Sequence, residues 1–340
     1  MHVFYPDNVP RADRLQQLIN NIGVIQTDIS REKKRQDELD AQTKTKLDEL
    51  LAAGKIESLA ELEKKALSKL TDEEKAEYDA LIKSTKLVAQ VTETMLWAGL
   101  LLGGNKLISL GGKVVMALVR GIAAIQAVRV AVTAFVETIS GLAKGGAAVA
   151  KALASAASKA RQAADAAKKA TGFTKIEGRV SRVFRFLGKI GKWLSWFGVV
   201  LVAAAPLVEL FVGANQKEEL IKGIHETQVT RLVVDTLKQQ ARNITEQMNS
   251  TNMYLSMLHK GKKASAEAVA EEMLDTIKEQ DEKIDLDALE DDLRIADKST
   301  LAFYGKDDLE KSIVVERAKT ERAEDEEKRL KELAEKEKAG

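Results

Sequence analysis

No proline interrupts the chain between Pro10 and Pro206, and none follows Pro206. A proline inside a helix removes a backbone donor and clashes with the preceding turn, so this stretch carries no forced break. The residues that fill it are rich in Ala, Leu, Lys and Glu, which lose little freedom in a helix. Runs of alternating polar and apolar residues, the mark of a half-buried strand, are missing. The expected fold is therefore all-α: an elongated bundle of long helices with an internal apolar module. The chain also has no cysteine, which removes disulfides, thiol nucleophiles and thiolate metal sites without fixing a compartment.

Helical periodicity divides the chain. Residues 1–10 read as an N-terminal tail lacking the basic and apolar regions of a secretion signal, so a soluble cytoplasmic form, or release without a conventional signal, is expected before any target membrane is reached. A helical stem is expected over 11–92. In it Leu15, Leu18, Ile22, Ile25 and Ile29 recur at intervals of three or four residues, Leu39, Leu47 and Leu50 follow more sparsely, and Gly54 is a stop signal. Ser58 with Glu61 and Thr71 with Glu74 have capping-box spacing and mark two further helix starts. After the apolar and cationic module of 93–216, a second stem is expected over 217–304, with Leu220, Ile221, Ile224, Leu232, Leu237, Ile244 and Met248 as core contacts and one or two shorter acidic helices over 264–300. From Gly305, Lys and Glu dominate and apolar anchors thin out after Val315. Residues 305–340 are expected to form a charged tail, solvated and helical or disordered.

The module of 93–216 holds the features that bear on function. Trp193–Gln216 is a nearly charge-free run broken only by Glu209. Lys175, Arg179, Arg182, Arg185, Lys189 and Lys192 precede it at helical spacing on one face, with Phe173, Ile176, Val180, Val183, Leu187 and Ile190 on the other. Cations opposite bulky apolar groups favour an in-plane pose on an anionic lipid surface. The run itself, as a helix, would extend roughly 36 Å against a hydrocarbon thickness of about 30 Å. Pro206 kinks or folds it, leaving either one kinked span or a hairpin buried against other helices. Trp193, Trp196, Phe197, Val199, Leu201, Pro206, Leu207, Leu210 and Phe211 are its candidate inserting residues.

Met95–Phe135 is a second apolar region, to which Trp97, Leu100 and Leu101 contribute inserting candidates. Lys106, Lys113, Arg120 and Arg129 punctuate it. At roughly 2.5–3.5 kcal/mol per cation at a bilayer centre, four would oppose insertion of an isolated helix by on the order of 10 kcal/mol. Insertion then needs snorkelling or a water-lined assembly, in which Lys106, Lys113, Arg120 and Glu209 are candidate pore-lining residues. The alternative is a helix pair in a soluble bundle with these cations at its solvent edge.

Charge is strongly segregated. Residues 101–200 hold sixteen Lys or Arg against Glu137, Asp165 and Glu177, a balance of +13 in a chain whose net charge is +1. An anionic partner surface for the middle of the chain is implied. The cations lie among Val, Leu, Ile and Gly with no aromatic platform and no helix-turn-helix pattern, which favours lipid over nucleic acid. His2, His225 and His259 are far apart and no metal-ligand spacing is present. Asp285–Asp292, DLDALEDD, departs from a calcium loop at Leu289 and Glu290. The Gly-Lys pairs at 112–113 and 188–189 lack phosphate-loop spacing, and no GxSxG elbow occurs. No cofactor is expected, and an enzyme is not.

Helical stems on both sides of an internal apolar module, together with GANQKEELIKGIHETQVTRL from Gly213 to Leu232, resemble the ClyA/Cry6/Hbl superfamily of α-helical pore-forming toxins. The resemblance covers most of residues 11–262. It implies a long bundle that shelters an apolar tongue in the soluble monomer and exposes it on lipid, followed by homo-oligomerisation, with a second protein component left open. Two apolar regions in place of one compact tongue depart from the simplest members. The expectation is a membrane-binding, pore-forming protein. The alternative is a non-lytic lipid-binding or scaffold protein that resembles apolipoprotein L in layout.

Overall fold

The computed structural model describes residues 7–53, 59–76, 78–79, 112, 115–116, 129, 132–133, 135–136, 216–259, 284–300 and 303–318. Of these, 88 % are helical and none lies in a strand, so the fold class is all-α. Two helices dominate: α1, Asn8–Ala52, and α3, Gln216–His259. Between them come α2, Leu59–Leu67, and a short helix over 72–76; α4, Leu286–Lys298, and α5, 311–318, follow.

Helix α1 begins just before Pro10, which is tolerated in the first turn because the backbone donors there have no helical acceptor. It runs through Leu39 and ends at Ala53, whose N–H bonds the Glu49 carbonyl, one residue short of Gly54. The Thr71 capping box forms in both directions: Thr71 N–H donates to Glu74 Oε2 at 2.9 Å, and Glu74 N–H donates to Thr71 Oγ1 at 3.2 Å.

The two long helices run parallel and in register. A Cβ on Gly223 would lie 3.1 Å from Leu15 Cδ2, Gln36 donates to the Ala241 carbonyl and to Thr245, and Lys46 donates to Asn252 and Ser256. Each pairing is offset by about the same number of residues, so α1 and α3 start together and finish together. Burial along α1 has a seven-residue repeat. Leu15, Ile22, Ile29, Gln36, Thr43 and Leu50 form one row, and Ala12, Ile19, Gln26, Asp40 and Leu47 the other. On α3 the matching row is Leu220, Thr227, Val234, Ala241, Met248 and Leu255. A sustained heptad of this kind is the packing of a coiled coil. Leu18 and Ile25 are buried as well, so α1 presents more than a two-helix seam.

At the starting end, α4 and α5 close over α3. Val229 and Leu232 of α3, Leu286 of α4 and Val314, Val315 and Ala318 of α5 form one apolar cluster. Asp285 caps α4, its side chain accepting from the N–H groups of Asp287 and Ala288. The segment DLDALEDD is thus a capped helix start. Residues 305–318 differ from the solvated tail expected of them. Val314 and Val315, the last apolar pair before the charged stretch, are at most 2 % exposed and anchor the segment to α3. The Lys- and Glu-rich residues beyond 318, to 340, lie outside the described residues.

Candidate functional site

Two buried charged groupings stand apart along the α1–α3 pair, one at its starting end and one about three-quarters of the way along. The first joins four elements around Asp297 of α4. Its Oδ2 accepts from Arg14 Nη2 at 2.7 Å, and its Oδ1 accepts from Arg231 Nη1 at 2.6 Å and Asn21 Nδ2 at 3.1 Å. Arg14 is fully buried and all three of its nitrogens donate: Nε and Nη2 grip Asp308 at 3.1 and 2.7 Å, and Nη1 reaches Gln17 at 2.9 Å. Its guanidinium also lies 5.0 Å above the Phe303 ring. Bidentate fork-to-carboxylate geometry of this kind is the strong form of an ion pair.

Further bonds tie the 303–310 segment to the same end. Arg11 donates to Asp307 at 2.8 Å, His225 Nε2 lies 2.8 Å from the Asp307 carbonyl, and Leu309 N–H donates to Gln228 Oε1 at 3.0 Å. Lys306 reaches Asp7 at 2.9 Å across the exposed rim. Burial opposes ionisation of Asp297, but hydrogen bonds from Arg14 and Arg231 outweigh it and hold the carboxyl below its ordinary value. Burial also opposes the charge on Arg14, and bonds to Asp308 and Asp297 more than restore it. Glu290 goes the other way. Burial pushes its carboxyl up against the pull of Arg231 and Arg294; Oε1 accepts from Arg294, while its Oε2 and Arg231 Nε and Nη2 have no hydrogen-bond partner.

The second grouping is a single pair. Arg129 Nη2, from the region Met95–Phe135, donates to Asp40 Oδ2 of α1. Both residues are buried, with Arg129 8 % exposed, so it does not lie at the solvent edge that a bundle reading would give it. Among the described residues, Asp40 Oδ1 and Arg129 Nε and Nη1 have no partner. Neighbouring in register, the Thr43 hydroxyl and both amide atoms of Gln247 also have none. Burial raises the Asp40 carboxyl above its ordinary value, Arg129 lowers it, and the like charge of Asp37 on the same helix adds to the rise.

The described apolar residues of Met95–Phe135 are sheltered: Val115, Met116, Val132 and Phe135 are each at most 1 % exposed. Gly112 is pressed against the turn after α2, where an added Cβ would stand 2.6 Å from the Lys69 carbonyl oxygen. Backbone approach that close admits only glycine.

The cationic stripe Lys175, Arg179, Arg182, Arg185, Lys189 and Lys192 lies outside the described residues, as does the apolar run over 193–215 that leads into α3. The same holds for Trp97, Leu100, Leu101, Lys106, Lys113 and Arg120. Among the described residues, no helix is long and apolar enough to cross a membrane, and no cluster of His, Asp and Glu could hold a metal ion.

What the sequence reading missed is the pair of charged groupings. Asp40 and Gln36 occupy core positions of the seven-residue repeat, and a carboxylate there signals a buried partner. Nothing local marks Asp297 or Asp308, whose shared partner Arg14 lies more than 280 residues away on α1. Comparison of the chain with family models, with characterised proteins and with solved structures finds no match.

Proposed function

We propose that this chain is a membrane-active, pore-forming helical protein that keeps apolar segments against a coiled-coil stem and releases them on lipid, with oligomerisation. The observation that carries the reading is the state of the first apolar region. Val115, Met116, Val132 and Phe135 are buried, and a cation of that region, Arg129, is paired with the stem through Asp40. A segment whose sequence suits a lipid interface but whose contacts are protein contacts has two environments available to it. The cationic stripe from Lys175 to Lys192 supplies the attraction to an anionic surface, at about 1 kcal/mol per cation close to the membrane. The +13 balance of residues 101–200 acts in the same direction.

The test is release of an encapsulated dye from vesicles, compared between phosphatidylcholine alone and a mixture containing phosphatidylserine. Leakage that rises with anionic lipid and falls with salt is expected. Binding without leakage would instead make the chain a non-lytic lipid-binding protein. Absence of both would leave a helical scaffold.

A further inference from the structure

We propose that the Asp40–Arg129 pair is the release joint of the stem, the place at which the first apolar region detaches from α1 while the end clasped by Arg14 and Asp297 stays closed. The inference rests on the membrane-active reading above. Removing two charges from water is costly, and the cost is recovered only when the remaining lone pairs and protons are also satisfied. At this joint they are not. Among the described residues, one bond joins the two groups, and one carboxylate oxygen and two guanidinium nitrogens are left without partners.

The surroundings do not make up the deficit, since the Thr43 hydroxyl and the Gln247 amide bond neither ion nor each other. The raised Asp40 carboxyl reports the same imbalance, because burial opposes its charge by more than Arg129 restores. On detachment both ions regain hydration, and Arg129 can exchange its carboxylate for a lipid phosphate, to which a guanidinium binds in the same forked geometry. Arg14 has no comparable gain, since every one of its nitrogens is already engaged, and the neighbouring Arg231, whose Nε and Nη2 also lack partners among the described residues, is held through Asp297 to Arg14 and Asn21.

The deciding variant replaces the pair by apolar side chains, Asp40→Leu with Arg129→Met, a change that often stabilises where a buried ion pair is poorly satisfied. In the full-length protein, amide exchange over 112–136 is expected to slow about tenfold, and dye release from phosphatidylserine-containing vesicles to slow by a similar factor while vesicle binding persists. The charge-swapped variant, Asp40→Arg with Arg129→Asp, keeps one ion pair and is expected to exchange and leak as the wild type does. Exchange over 112–136 that is unchanged in the apolar variant, or equally slowed in the charge-swapped one, overturns the joint. If the wild-type protein causes no leakage, the pore-forming reading fails by itself. Exchange still decides the joint in that case: it stands if 112–136 opens before 8–21 in the wild type and the apolar variant removes that difference, and it falls otherwise.

Discussion

The two ends of the α1–α3 pair solve the problem of a buried arginine differently. At the starting end Arg14 meets two carboxylates, a glutamine and an aromatic face, contributed by α1 itself, α4 and the 303–308 segment. Toward the other end Arg129 meets one oxygen of one carboxylate. Both cations are out of water, so the difference lies in how completely each is compensated. A fully bonded buried network makes a rigid, specific contact; a partly bonded one costs stability and marks where a structure gives way. Arg14 is thus fully compensated where Arg129 is not, although beside the Asp297 clasp Arg231 Nε and Nη2 and Glu290 Oε2 also lack partners among the described residues.

The comparison is most exposed to failure at Asp297. Asp297→Ala would leave both Arg14 and Arg231 buried without their shared carboxylate, and a loss of about 3–5 kcal/mol in urea unfolding is expected. The pH dependence has a definite sign. The folded-state carboxyl of Asp297 lies below its ordinary value of 3.8, so its contribution is present above that value and is lost as pH falls through the lower folded one. Mild acid should therefore leave the closed end intact. If Asp297→Ala costs no more than an ordinary surface substitution, the clasp is not what holds this end.

A second prediction sharpens the contrast at the weaker end. Arg129→Met removes the one partner that Asp40 Oδ2 has among the described residues, yet Asp40 can respond by taking up a proton. Its folded carboxyl already lies above the ordinary 3.8, so ionisation of Asp40 costs stability as pH rises and the cost is relieved as pH falls through the raised value. Loss of Arg129 raises that value further. Arg129→Met should therefore cost about 1–3 kcal/mol near neutral pH and progressively less toward pH 4 in thermal unfolding. Asp297→Ala should show no such recovery, because an arginine cannot shed its charge. Equal pH profiles for the two variants would erase the distinction between the ends.

The stem was readable in the sequence because its signal is local. Leu15, Ile22, Ile29 and Leu50, and Leu220, Leu237, Ile244 and Met248, sit at helical spacing and are buried as that spacing implies. The Thr71–Glu74 capping box could be named from two residues and forms as named. The 303–318 segment was not readable. Its surroundings are charged, and its place depends on Val314 and Val315 meeting α3 and on Asp307 and Asp308 meeting α1, neither of which a window of neighbouring residues contains. The parallel register of α1 and α3 was hidden for the same reason, although the seven-residue repeat with Gln36, Asp40 and Thr43 in core positions was present in the letters. The membrane candidates from Lys175 to Phe211 lie outside the described residues, so the pore-forming reading rests on the first apolar region and on sequence.

The smallest expected effect tests how tightly the closed end is packed. Gly23 and Gly223 are both inside long helices, where glycine costs roughly 0.5–1 kcal/mol relative to alanine through backbone entropy. A Cβ at Gly23 would meet nothing within 4 Å, so Gly23→Ala should recover that amount as a raised urea midpoint with an unchanged slope. At Gly223 the same Cβ would stand 3.1 Å from Leu15 Cδ2 and 3.5 Å from Leu15 Cδ1, across the seam at the level where Arg14 and Arg11 bind their carboxylates. The helix-propensity gain is the same at both sites, so the difference between the two alanine variants measures what Leu15 must yield. With Leu15 held among Ala12, Leu18, Ile19, Leu220 and Ile224, Gly223→Ala should gain less than Gly23→Ala or lose stability outright. Equal gains would mean that Leu15 moves aside freely, and closure of this end would then rest on the ion pairs and the Val229–Val314 apolar cluster rather than on the α1–α3 seam.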